Sequence, residues 1–170
     1  MPESGVMPAS GRSLAEPAYP FFPEGLPLEC VRAGPYTVRW ARDEADLDAV
    51  LELRFRIFNL ELGEGLIESF ATRRDRDPYD AWCHHLMVSD DETGQLVGTY
   101  RAHSQRMAEA GIGWYSNTLF DLSTLPAEVL ARAAETGRAC IAAHHRNGRV
   151  LYLLWKGLAN YLVHNDCEHM

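Results

Sequence analysis

The chain has 170 residues and a formal net charge of −8 at pH 7. That length suits one domain with a real core rather than two, and the acidic balance argues against a nucleic-acid binder, which usually carries a basic face. Cys30, Cys83, Cys140 and Cys167 show no CxxC spacing, no run approaches the roughly 18 apolar residues of a membrane span, and the opening Met1-Pro2-Glu3-Ser4-Gly5 lacks a secretory pattern; the chain therefore reads as cytoplasmic.

Seven of the nine prolines fall in residues 1–35. That stretch has no periodicity and reads as a flexible, Pro-rich extension ahead of a folded domain over 36–170. "YTVRWA" (36–41) alternates and predicts a strand. Asp43 then suits a helix N-cap, with Asp46 in the first turn. Leu47, Val50, Leu51 and Phe58 form one helical stripe. Arg54 falls on that same stripe, a charge on a face expected to be buried.

Residues 61–80 read as loop or short helix, with Asp75, Asp77 and Asp80 toward the end. Arg73, Arg74 and Arg76 make a candidate local basic patch. "HLMVSD" (85–90) and "QLVGTYRAHS" (95–104) flank the turn "DETG" and predict a hairpin. "GWYSN" (113–117) reads as a short strand, "LPAEVLARA" (125–133) as a short helix and "RACIAA" (138–143) as a central strand. A last helix starts near Gly148, with Leu151, Leu154, Trp155, Leu158 and Leu162 on one face. This order predicts an α/β (α+β) fold: a mixed sheet with helices on its faces. The chain stops at "NDCEHM", where such a unit normally runs into another strand. The fold is expected to lack C-terminal strands or to be completed by a partner.

Two segments carry candidate chemistry. In "ETGR", Glu135 and Arg138 stand three apart around Gly137. A regular strand sets such residues on opposite faces; a bulge at Gly137 would bring them together. In "RNGR", Arg146, Gly148 and Arg149 meet the start of the last helix, where free N–H groups and the helix dipole suit an anion. A solvated loop fits the same residues. Six of the seven histidines (His84, His85, His144, His145, His164, His169) show none of the usual zinc spacings, so no metal is expected. Cys140 reads as a small apolar strand residue rather than a nucleophile.

Five segments occur in one order: "LRFRIF" (53–58), "DPYDAWCHHLMV" (77–88), "LVGTYRAHS" (96–104), "ETGRACIA" (135–142) and "RNGRVLYLLWKGLANYL" (146–162). Together they resemble the ornithine–acyl carrier protein N-acyltransferases, a GNAT-like group related to the acyl-homoserine lactone synthases. The resemblance covers about residues 36–162. It implies a GNAT-like, mixed and mostly antiparallel sheet flanked by helices. It implies transfer of a 3-hydroxyacyl chain from acyl carrier protein to the α-amine of ornithine, giving lyso-ornithine lipid by direct aminolysis. No bound cofactor is implied: the donor is the acyl-phosphopantetheine of the carrier protein, with acyl-CoA the alternative. Peripheral contact with a membrane is a further implication.

By the same resemblance, Arg54, Asp77, Asp80 and Arg101 belong to the substrate pocket. The two acids either hold the cationic amine or hold Arg54. Glu135 takes the amine proton, directly or through a water, and Arg138 supports the charge network. Arg146, Gly148 and Arg149 receive the phosphopantetheine arm. The usual donor loop reads Arg/Gln-x-x-Gly-x-Gly/Ala; here Arg149 and Leu151 stand at the two glycine positions. One glycine and two arginines fit a single phosphodiester. Two other readings stay open, an acetyltransferase using acetyl-CoA on a small amine and an inactive fragment that binds acyl carrier protein.

Overall fold

A computed structural model describes residues 15–170. Five strands form one sheet in the order β1 (Val31–Ala33), β2 (Tyr36–Trp40), β3 (His84–Asp90), β4 (Leu96–Ser104) and β5 (Ala134–Ile141). Every neighbouring pair is antiparallel. Among the described residues the parallel pairing is a single bridge, Ala133 with His169. The mostly antiparallel sheet expected is found, and every strand pairing in it is antiparallel. In that order β5 lies at one edge of the sheet rather than at its centre.

Helix α1 (Glu44–Arg54) starts where expected. The Asp43 side chain accepts from the N–H of Asp46 at 2.9 Å and caps its first turn. The helix then widens into a π-helical segment, Phe55–Glu61. α1 buries Leu47, Val50 and Leu51 against Met87 of β3 and against Ala41 and Tyr19. Short helices α2 (Ser69–Thr72), α3 (Gln105–Ala110) and α4 (Ala127–Ala131) sit in the connections. Residues Tyr115–Thr118 form a 3₁₀ turn, not the strand expected of "GWYSN".

Helix α5 (Gly148–His164) covers the opposite face of the sheet. Its buried side is Val150, Leu153, Leu154, Gly157, Leu158 and Tyr161. Leu151 and Trp155, expected on that side, are about half exposed. The helix is apolar nearly all round, so its sequence leaves the phase open, and the fit of Gly157 against the sheet fixes it. A Cβ there would lie 2.7 Å from Leu86. Each fully buried leucine contributes about 1.5–3 kcal/mol.

The fold begins earlier than Tyr36. Residues 1–14 lie outside the described part, but Tyr19 and Leu26 are buried, and Pro23–Gly25 form a 3₁₀ turn. His84, in β3, donates or accepts at the Tyr161 hydroxyl (3.0 Å) and bonds the carbonyl of Phe21 at 2.6 Å. A buried histidine thereby ties this segment to the sheet and to α5. Pro17, Pro20, Pro23, Pro27 and Pro35 thus fall in a packed segment, not a loose one.

Candidate active site

Antiparallel register places cross-strand partners on one face. On the face that α1 covers, His85, Arg101 and Gly137 form one rung across β3, β4 and β5. His103 and Glu135 form another. This face is polar because the segment between α2 and β3 folds three carboxylates over it.

Arg54 is fully buried and meets both oxygens of Asp80, at 2.6 and 3.1 Å, and Asp75 at 3.3 Å. Arg101 reaches Asp77 at 2.7 Å and Asp80 at 2.8 Å. Arg138 approaches Asp77 at 3.4 Å and Asp75 at 3.6 Å. Three guanidiniums face three carboxylates, so the cluster is neutral. Burial works against ionising Asp80, but Arg54, His85 and Arg101 beside it outweigh this and hold its carboxyl well below the usual range. His85 donates to the Asp80 carbonyl at 3.0 Å, and burial pushes its own pKa down to about 4. The charge singled out at Arg54 therefore has its partners. Asp80 has 0% exposure and grips two arginines, while Asp77 meets Arg101 and Arg138.

Asp75 was hidden in an apparent basic patch. Arg74 pairs with Asp48 at 2.7 Å and Arg76 with Glu16 at 2.8 Å, so the patch is largely neutralised. The signal that would have found Asp75 is a buried cation needing more than one acid.

The bulge expected at Gly137 is present one residue later. Thr99 pairs with Cys140 and Arg101 with Gly137, so Arg138 and Ala139 together oppose Tyr100. Arg138 is left-handed, with φ of 50°, at a cost of about 1–2 kcal/mol for a residue with a Cβ. The distortion turns its side chain toward Asp77. It does not join Arg138 to Glu135. The Glu135 carboxylate instead accepts from the N–H groups of Tyr115 (2.9 Å) and Ser116 (2.7 Å) and from the Ser116 hydroxyl. Burial would raise its pKa, but the nearby His103 ring and the Ser116 and Tyr115 donors hold it lowered.

Two hollows flank the bulge. One is a cavity of about 20 Å³ lined by Tyr79, Cys83, Arg101, His103, Tyr115, Glu135, Thr136 and Gly137. It has room for about one water. The other is an apolar groove of about 350 Å³ lined by Ile57, Phe58, Leu62, Tyr100, Ala139, Cys140, Ile141, Arg146, Leu151 and Leu154. Arg138 is the residue of β5 between the two linings.

The "RNGR" loop is divided. Arg146 lines the groove, pairs with Glu61 at 2.6 Å and donates to the Ile141 carbonyl at 3.0 Å. Arg149 lies against Gly34, in the turn between β1 and β2. The Asn147 side chain accepts from the N–H groups of Arg149 and Val150, both at 3.1 Å, and so uses two donors of the helix start. Gly148 leaves open space beside its Cα. No group of three or more His, Cys, Asp or Glu side chains with metal-binding geometry exists among the described residues. Burial pushes the Cys140 thiol up to about 12, so it is protonated at neutral pH and unsuited to nucleophilic attack.

Residues 53–156, which include β3, β4 and the bulged β5 of this antiparallel sheet, match the family model described as an acetyltransferase (GNAT) domain. The chain belongs to that family. It is 37% identical over 146 residues to an L-ornithine N(alpha)-acyltransferase of Agrobacterium fabrum, a match covering 82% of this chain and 50% of that one. It is 38% identical to the Brucella abortus protein of the same name, covering 82% and 52%. The Rhodobacter capsulatus protein of that name is 33% identical, covering 78% and 53%. The chain thus spans about half the length of the curated relatives it matches. The crystal structure of the AHL synthase LasI shares the fold, with a TM-score of 0.53 at 19% identity, over 78% of this chain and 68% of that one.

Proposed function

We propose that this chain carries the acyl-transfer centre of an ornithine N-acyltransferase. The observation that carries the reading is the bulge at Arg138, which parts an apolar groove from a polar cavity on one strand. Aminolysis of a thioester needs that division: a dry slot for the acyl donor and a polar site for a charged amine. The named relatives supply the substrate class.

In this reading the donor is the acyl-phosphopantetheine of acyl carrier protein. The acyl chain and the pantetheine share the groove beside Ala139–Ile141. Arg146 stands at its wall and would meet the single phosphodiester, with Gly148 giving close approach and Arg149 adding charge farther along the same loop. The ornithine carboxylate goes to Arg138. Of the three network arginines it is the most exposed, with 25% of its side chain open against 0% and 7% for Arg54 and Arg101. Arg54, Asp77, Asp80 and Arg101 keep it in place and set the local charge. The α-amine then points into the polar cavity, where a base takes its proton. The amine attacks the thioester carbon and the pantetheine thiolate leaves.

No helix of the described residues is long and apolar enough to cross a membrane. Work at the cytoplasmic membrane surface is part of the proposal, since the product is an amphiphile. Leu60, Leu62, Ile67 and Phe70 are exposed, and Leu62 lines the groove.

The test is incubation with labelled ornithine and 3-hydroxyacyl carrier protein, followed by extraction of the lipid phase. A labelled lyso-lipid is the expected product. Turnover of acetyl-CoA with small amines, and none with carrier protein, would leave an acetyltransferase instead. No turnover of any donor, with carrier protein retained on the chain, would leave a binding module.

A further inference from the structure

The polar cavity holds one group that the reading above leaves unused. His103 is 2% exposed, and neither of its ring nitrogens has a hydrogen-bond partner among the described residues. A buried unpaired imidazole is costly and calls for an explanation. Its ring packs edge-on against Trp114, with centroids 5.2 Å apart. Its Nδ1 lies 3.7 Å from Glu135 Oε2, too long for a hydrogen bond but close for a charge. The ring is part of the cavity wall.

We propose that His103 is the base that takes the proton from the amine, and that Glu135 positions it and balances its charge. This rests on the acyl-transfer reading. The cavity wall offers few other bases. Arg101 is a permanent cation. Burial pushes the Cys83 thiol and the Tyr79 hydroxyl up, so both stay neutral. Glu135 is anionic, but both its oxygens already accept from Tyr115 and Ser116. Taking a proton would weaken the bonds that fix the turn Tyr115–Thr118, because the carboxylate would lose the charge that strengthens them. His103 has nothing to lose: a proton there gains a carboxylate partner.

Gly137 lines the cavity, and a Cβ there would meet nothing within 4 Å, so the wall is open at this point. The ammonium enters there and loses one proton to His103, through the space for one water. The neutral amine forms the N–C bond to the thioester carbon, and the C–S bond breaks. The second amine proton goes to the departing thiolate, and the amide nitrogen keeps the third. His103 returns its proton to solvent after product leaves.

The groups facing His103 are Glu135 from β5, Arg101 from its own strand, Cys83 just before β3, and Tyr79 and Tyr115 from the covering loops. The pH profile of kcat is therefore read in variants. His103→Phe fills the same space without buried nitrogens, and His103→Gln keeps a polar group should the phenyl not fit. Both should fold, keep the KM for the acyl donor, lose about 10²-fold or more in kcat and lose the acid limb of the profile. Glu135→Gln should keep the limb, because the ring that takes the proton is still present. Wild-type kcat and limb in both His103 variants would overturn the assignment. So would loss of the limb in Glu135→Gln alone, which would make Glu135 the base. A wild type inactive with every donor would overturn the acyl-transfer reading, and this assignment with it.

Discussion

Arg54 sets two nitrogens of its guanidinium against the two oxygens of Asp80, at 2.6 and 3.1 Å, with both residues wholly removed from solvent. Removing one side of such a pair strands the other. Arg54→Ala is expected to destabilise the protein by about 3–5 kcal/mol, read from urea unfolding at pH 7. Arg54→Lys should recover little of that loss, because an ammonium cannot span both oxygens and Asp75 as well. Near-complete rescue by lysine would show that charge, not the planar fork, holds the cluster.

Acid should weaken the fold in two stages. Burial lowers His84 and His85 to about 4 in the folded chain, against about 6.5 unfolded. Between those values the unfolded chain binds more protons, so stability falls as pH drops from about 6.5 toward 4. Each histidine contributes a slope of up to about 1.4 kcal/mol per pH unit. Asp80 acts next. Its folded pKa is depressed, so its stabilisation is present above about 3.9, the unfolded value, and is lost as pH falls further. Urea midpoints at pH 7, 5.5 and 4.5 should decline steadily. A flat profile from 7 to 5 would mean the two rings are protonated at little cost.

Arg138 bears both a strained backbone and a working side chain, and the two can be separated. Arg138→Gly relieves the positive φ and offsets it with a freer unfolded chain. Stability should stay within about 1 kcal/mol of wild type. The kcat/KM for ornithine should fall about 10- to 100-fold, the worth of one charge-assisted contact. Unchanged kcat/KM would remove Arg138 from amine binding.

The groove can be filled without touching the polar cluster. Ala139 is exposed and lines it. Ala139→Trp should leave the thermal midpoint within a few degrees, raise KM for long-chain donors at least about 10-fold, and penalise short acyl chains less. The magnitude follows from the loss of a few buried methylenes at about 0.8 kcal/mol each. Equal effects on long and short donors would place the acyl chain elsewhere.

Much of this was legible because local chemistry is strict where it is stereochemical. The Asp43 cap, the hairpin over 85–104 and the break near Gly137 follow from capping, turn and bulge rules that act over a few residues. Arg54 stood out as a charge on an apolar stripe. What stayed hidden depended on long-range pairing. Asp75 joins the cluster only because the chain folds back over α1, and no spacing reveals that. His103 looked like one more strand residue until the register set it opposite Glu135. Residues 15–35 were misread because proline density signals a lack of helix and sheet, not a lack of packing: Tyr19 and Leu26 are enough to anchor the segment. On α5, Leu154 and Leu158 are buried as expected, but Leu151 and Trp155 are half exposed, because a helix apolar on most sides carries little directional information.

Arg138 is surplus to the ladder of β5. If it were deleted, Ala139 would face Tyr100, while Gly137 and Cys140 would keep the partners they have now, Arg101 and Thr99. The sheet would close over the gap as a regular strand, with every neighbour on its present face. The strand is therefore a complete scaffold plus one inserted residue, and that residue is the cation that marks the border between the dry groove and the wet cavity. Architecture and activity are separable here by a single codon: the sheet does not need Arg138, and the chemistry proposed for it does.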